Sequence, residues 1–177
     1  MSPLRPDLVD CWVFRVSSVG PGTPGGSPPA IEILLIRRSP GRILPGLWQC
    51  VSGSLEPRER VAIAALREAA EETGYGPESI EAFYDLDLVN HFHEPSIDAV
   101  LASAVFAVRV GAGVDPVLSP EHTAFRWLDL EEAGREVVWP GYRDAIERIR
   151  DYLLDPAKEP WFRLDLEGRR VLDAVGH

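Results

Sequence analysis

Between Gly53 and Tyr75 the chain reads GSLEPRERVAIAALREAAEETGY, a run that spaces its charged and glycine residues as G-x5-E-x7-R-E-x2-E-E-x-G. With typical usage of roughly 6% per residue type, seven specified positions match by chance in fewer than about one window in 10⁸. Val61, Ala64, Ala65, Leu66 and Ala69 recur at helical period, so the spacing predicts an amphipathic helix from about Arg58 to Thr73. Pro57 suits the first helical position, and Gly74 suits the left-handed stop after the last turn. On such a helix Glu68, Glu71 and Glu72 stand three and four residues apart, which gathers three carboxylates into an arc of roughly 100°.

Carboxylates on adjacent turns repel one another unless a cation neutralises them. Oxygen-only ligands of this kind select Mg²⁺, or Mn²⁺ in its place. A generic glutamate triplet would more often be a solvated helix face, with Arg67 paired to Glu71 one turn on. The complete spacing reverses that judgement.

The segment from Gly53 to Tyr75 resembles the Nudix box at every charged and glycine position. Ala69 and Tyr75 depart mildly from the aliphatic residues usual there, which bears on packing more than on chemistry. The resemblance implies a metal-dependent hydrolase of substrates built as a nucleoside diphosphate linked to another group. It implies an α/β/α sandwich with a mixed β-sheet, in which Glu68, Glu71 and Glu72 bind metal together with the main-chain carbonyl of Ser52. Arg67 would hold the glutamates in coordinating geometry, Glu59 would join its network, and Glu68 or Glu121 would take a proton from the attacking water.

Length and composition fit one such unit: 177 residues with 45% apolar content suffice for a single core. A net charge of −10 argues against a nucleic acid polymer as partner, whereas a small phosphate-containing substrate stays compatible through bound cations. Cys11 and Cys50 each lie in an apolar run, so two buried thiols are expected and a disulfide is not. No apolar segment approaches membrane-spanning length, which with the thiols leads to an expected cytoplasmic setting without a membrane partner.

Strands are expected at Leu8 to Val16, Ile31 to Arg38, Leu47 to Ser52, Ile80 to Asn90, Asp98 to Val110 and Thr123 to Leu128. Helices are expected at Glu131 to Glu136 and Tyr142 to Leu154. The Gly/Pro-dense stretch 17–30 reads as a surface hairpin loop, and HFHEPSI as the connection between two strands. Residues 1–154 then form the domain, and 155–177 a tail with apolar residues to spare for a hairpin about Glu167-Gly168 or a homodimer contact.

Outside the box, Arg37 and Arg38 end a strand just before the site, where by alternation one of the two can clamp a phosphate; Arg37 is favoured. Trp48 and Gln49 precede the box, and an aromatic there could stack on a nucleobase or pterin ring. The runs LWQCVSGSLEP and EHTAFRWLD resemble the Nudix branch acting on dihydroneopterin triphosphate and deoxynucleoside triphosphates such as dATP, with hydrolysis of ADP-ribose or a dinucleoside polyphosphate, or a non-catalytic nucleotide-sensing module, as the alternatives. The loop SPEHTAFRWLD resembles the segment where many Nudix enzymes place an extra glutamate as metal ligand or general base, which implies that role for Glu121, with Glu94 as its rival.

Overall fold

The computed structural model describes residues 4–17 and 30–174; the expected hairpin loop, apart from its two ends, lies outside them. In chain order the elements are β1 (Leu4–Ser17), β2 (Ala30–Arg38), β3 (Trp48–Gln49), β4 (Val51–Ser54), α1 (Val61–Thr73), β5 (Ile80–Glu94), β6 (Ala99–Val110) and β7 (His122–Asp129). They are followed by α2 (Leu130–Glu136), α3 (Pro140–Tyr152), α4 (Glu159–Phe162), β8 (Arg163–Leu164) and α5 (Val171–Ala174). The strands form one mixed sheet in the order β3-β2-β1-β6-β5-β8, with β4 on β1 and β7 on β2. Only β1 and β6 run parallel among these pairs.

Both faces of the sheet are covered, giving the α/β/α sandwich. Alternation along β1 and β2 sends Trp12, Phe14, Ile33 and Leu35 to one face, where Tyr142, Ile146 and Ile149 of α3 complete a core. Val9, Val13, Leu34 and Ile36 go to the other face, against Ala64, Ala65 and Ala69 of α1. Three alanines on the buried stripe bring the α1 backbone close to the sheet, which is why its carboxylates end beside strand main chain. The helix stops where expected, at Gly74 with φ 75°, a left-handed conformation that costs glycine little.

Its start differs. Pro57 lies in the approach loop, where Arg58 holds φ 70°, and Arg60 precedes the first helical residue. β5 also runs further than its composition suggested. His91 to Glu94 continue the ladder with β6, so HFHEPSI is largely strand and the turn is confined to Pro95–Asp98.

One edge of β1 is shared, and that sharing creates the site. Leu8 to Cys11 pair with β4, whereas Phe14 to Ser17 pair with β2. The two partners therefore diverge, and the chain from Trp48 to Ser54 crosses the gap, first on β2 and then on β1. Cys11 and Cys50 are buried and free. The tail folds back on its own chain: Leu164 pairs with Phe83 of β5, Phe162 stacks on Tyr152 at 5.1 Å, and the backbone reverses at Glu167-Gly168. No helix among the described residues is long and apolar enough to cross a membrane.

Candidate active site

Ser52 to Pro57, α1 and the loop before β7 enclose a depression of about 660 Å³ that includes Glu68, Glu71, Glu72 and Glu121. The loop is brought there by the end of α1, whose last carbonyls lack helical partners. Val117 N–H donates to Thr73 O at 2.9 Å, and Ser119 N–H to Glu72 O at 3.1 Å. Ser39 ties the same loop to the end of β2, its N–H donating to Glu121 O at 2.9 Å. Satisfying the helix end thus delivers Glu121 and His122 to the box.

Gly53 is the cradle of Glu68. A β-carbon at this position would coincide with the Glu68 carboxyl, so only glycine lets that group lie against the strand. Arg67 braces the cluster: its guanidinium donates to both Glu59 oxygens at 2.8 and 2.9 Å, to Glu68 Oε1 at 2.9 Å, to Glu71 Oε2 at 3.2 Å and to Ser54 O at 2.9 Å. The bidentate contact with Arg67 holds the Glu59 carboxyl below its usual range. Glu72 has no such cation. Burial, with Glu68 and Glu121 nearby, pushes it up to about 8, against a single long hydrogen bond from Ser52 N–H at 3.4 Å.

The donor set suits a hard divalent cation, because crowded oxygen-only carboxylates repel one another without one. Among the described residues no three acidic or imidazole groups already converge at ligand spacing. Glu68 and Glu71 are turned onto Arg67 instead, so Arg67 both braces the set and occupies it.

The other expected contacts divide. Glu121 borders the depression and pairs with Arg42, a residue with no distinguishing sequence signal. Arg37, Trp48 and Gln49 do not line it. Arg37 and Trp48 are partners across β2 and β3, and Trp48 packs on the α3 side beneath the Arg126 guanidinium, 4.4 Å away. Arg38 is the arginine on the α1 face: it reaches Gln49 Oε1 at 3.5 Å and its charge acts on both Glu72 and His122. Parity decides this, since Leu34 and Ile36 of the same strand pack under α1. Glu94 lies at the far end of β5, where its carboxyl accepts from Ser96 N–H at 3.0 Å.

His122 was not foreseen. Its ring is buried, neither nitrogen has a hydrogen-bond partner among the described residues, and Nε2 stands 4.0 Å from Glu72. Burial first, then Arg38, pushes its pKa down to about 4.

The chain belongs to the NUDIX domain family, whose family model matches residues 24–149. An octanoyltransferase of Myxococcus xanthus is 36% identical over 125 residues, covering 70% of this chain and 33% of that protein. The chain therefore spans about a third of that curated relative's length. In fold it is similar to an Ap4A hydrolase of C. elegans, with TM-score 0.66, 18% identity and coverage of 83% of this chain and 96% of the other. It is likewise similar to the dihydroneopterin triphosphate pyrophosphohydrolase of E. coli, with TM-score 0.58, 22% identity and coverage of 79% and 95%.

Proposed function

We propose that this chain hydrolyses a diphosphate linkage in a nucleoside-diphosphate-X substrate, a (deoxy)nucleoside triphosphate or dihydroneopterin triphosphate, releasing pyrophosphate. The observation that carries the reading is the set of Glu68, Glu71 and Glu72 beside Glu121 in one open depression, braced by Arg67 and cradled by Gly53. Glu68, Glu71, Glu72 and the Ser52 carbonyl would hold Mg²⁺, with Mn²⁺ as substitute. The cation supplies charge neutralisation at the diphosphate oxygens and acidifies a water.

The chain's own groups do the rest. Arg42 at the rim and Arg38 behind Glu72 attract the phosphate charge. Glu68 or Glu121 accepts the proton of the attacking water. Arg67 keeps Glu68 and Glu59 in register with the strand, so the carboxylates need little reorganisation as charge develops.

The test measures phosphate and pyrophosphate release from triphosphates, ADP-ribose and dinucleoside polyphosphates with Mg²⁺ or Mn²⁺, alongside Glu72→Gln. Metal-dependent pyrophosphate release from a triphosphate, lost in the variant, is expected. Cleavage of ADP-ribose or a dinucleoside polyphosphate alone would move the substrate class, and tight nucleotide binding without release from any of them would replace the enzyme with a sensor.

A further inference from the structure

α1 carries most of the groups that the hydrolytic reading uses, yet its own sequence does little to hold its start. Arg60, which precedes the first helical residue, makes no side-chain cap, and the first turn holds no acidic residue. Helix starts of this kind fray, because their first N–H groups lack helical partners and no side chain replaces them. Just ahead, Arg58 holds φ 70°, a conformation uncommon for a residue with a side chain. Glu59 stands between these two positions, and both its carboxyl oxygens hold Arg67. A start that frays would therefore release the arginine that orders Glu68 and Glu71.

The tail supplies the missing support. β8 pairs with Phe83 and Tyr84 of β5, and Leu164 is buried in the same core as Ala65 and Ala69 of α1. From there residues 165–170 turn back as a hairpin that Asp165 holds closed. Its Oδ1 accepts from Glu167 N–H at 2.9 Å and from Arg169 N–H at 2.8 Å, and its own N–H donates to Arg169 O at 2.8 Å. The tip of the hairpin meets α1. The Arg60 guanidinium donates to Glu167 O and, at 3.3 Å, to Gly168 O. Gly168, at φ 74°, lies so close to Ala62 that a β-carbon on it would come within 2.7 Å of the Ala62 β-carbon. One contact grips the residue before the helix, and the other grips its first turn. The hairpin lies beyond residue 149, the end of the stretch that the family model matches.

We infer that the 165–170 hairpin is a strap on α1 and that Arg60 is a positioning residue, fixing the start of the helix so that Glu59 meets Arg67 and the three glutamates are held in place for a cation. The inference rests on the hydrolytic reading above. Neither Arg60 nor Gly168 lines the depression, so their effect reaches it only through Glu59 and the first turn of α1. Support passes from the sheet through β8 and the hairpin to Arg60, and from Glu59 through Arg67 to Glu68. Loosening the strap leaves every carboxylate present but less ordered. Ordering them then costs free energy when a cation binds, whereas the chemistry at saturating cation stays nearly intact.

The experiment compares the wild type, Arg60→Ala, Arg60→Lys, Gly168→Val and the Arg60→Ala/Gly168→Val double variant. Each is followed by hydrogen exchange of the metal-free protein, calorimetric binding of Mn²⁺, and pyrophosphate release from triphosphates as Mg²⁺ is varied. Arg60 is exposed, so its replacement threatens no core. Arg60→Ala and Gly168→Val are each expected to speed exchange at least ~10-fold at the amides of Ile63 to Leu66, with those of α3 changed under ~2-fold. Each should weaken Mn²⁺ binding and raise the half-saturating Mg²⁺ by about 5- to 10-fold, with kcat at saturating Mg²⁺ within ~3-fold. Arg60→Lys, which can still donate to one carbonyl, should recover part of the loss. The double variant should match the single ones within ~2-fold, because both break the same strap. A merely structural role would lower the melting temperature and speed exchange in α1 and α3 alike with cation affinity unchanged. That result overturns the inference, as do losses that add in the double variant. Should Gly168→Val not fold, Asp165→Ala, which opens the hairpin without touching α1, takes its place. If the wild type releases pyrophosphate from no triphosphate, the hydrolytic reading fails separately. Exchange, which needs neither substrate nor metal, then decides the strap: acceleration confined to α1 upholds it, and equal change in both helices or in neither overturns it.

Discussion

Two sets of carboxyl groups lie on opposite sides of β4, and they are neutralised differently. On the α1 side Glu68, Glu71 and Glu72 are crowded on one helix and open to a depression, and Arg67 holds two of them. On the α3 side Asp10 is alone, closed in, and faced by an amide and two hydroxyls. Burial is the first cause that raises the pKa of both Glu72 and Asp10. A hydrogen bond comes next at each and lowers it, from Ser52 N–H at Glu72 and from Asn90 at Asp10; beyond that other carboxylates raise Glu72 further, whereas hydroxyls lower Asp10. Like charges at close range ask for a cation, and a carboxyl among neutral groups asks for a donor. One face is thus suited to a cation, whereas the other holds a single carboxyl on neutral hydrogen bonds.

Removing a charge from the first face is the strongest way to break this contrast. Glu72→Gln keeps the side chain's size and should lower kcat by about 10³-fold on every substrate, with a smaller loss for the outward Glu71→Gln. Steady-state pyrophosphate release measures both. A Glu72→Gln enzyme retaining more than a tenth of wild-type turnover would remove Glu72 from the chemistry.

Each face also has a glycine against which a polar side chain rests, Gly53 under Glu68 and Gly141 over Asn90. Gly53→Ala displaces the flexible end of Glu68 and should cost about 10²-fold in kcat without unfolding the chain, alike for all substrates. Gly141→Ala presses on Asn90 and not on the α1 carboxylates, so it should leave kcat within about 3-fold on every substrate and show itself in a lowered melting temperature instead. Reversal of the two patterns would exchange the roles of the faces. Arg67→Lys comes next at about 10-fold, because an ammonium cannot reproduce the bidentate contact with Glu59 while also reaching Glu68. Structures of the variant with and without Mg²⁺ would show whether Glu68 drifts.

The acidic face was legible in the sequence and the neutral one was not, for a physical reason. Helical period alone places Glu68, Glu71 and Glu72 together, and Gly74 announces its own left-handed turn. Nothing local announces that β1 gives one edge to two partners, although that division sets Ser52 between the faces. The choice between Arg37 and Arg38 depended on which side of β2 lies under α1, a tertiary fact. Asp10 did leave a signal, one acid in the apolar run LVDCWVF, but a strand's alternation does not say whether such a residue faces water or a core. His122 was hidden for a similar reason, as its burial comes from the loop that caps α1.

The smallest expected effect separates the faces by pH. An unfolded Glu72 would ionise at its ordinary value of 4.5, whereas the folded, metal-free one ionises at about 8. Between these values the folded state binds up to one proton more than the unfolded state, so stability of the metal-free protein falls as pH rises, by at most about 1.4 kcal/mol per pH unit for this group. His122 works in the opposite sense: its pKa falls from 6.5 to about 4 on folding, so its contribution is lost only as pH drops below 6.5. The window from pH 6.5 to 8 therefore isolates Glu72 from the histidine. Urea denaturation across that window in EDTA should show declining stability, and Mg²⁺ should flatten or reverse the slope because it binds the ionised carboxylate. Glu72→Gln in EDTA should be nearly flat. A slope that persists in Glu72→Gln and vanishes in Asp10→Asn would place the retained proton on the opposite face of β4, and the division between a cation-seeking and a donor-seeking carboxyl would have to be redrawn.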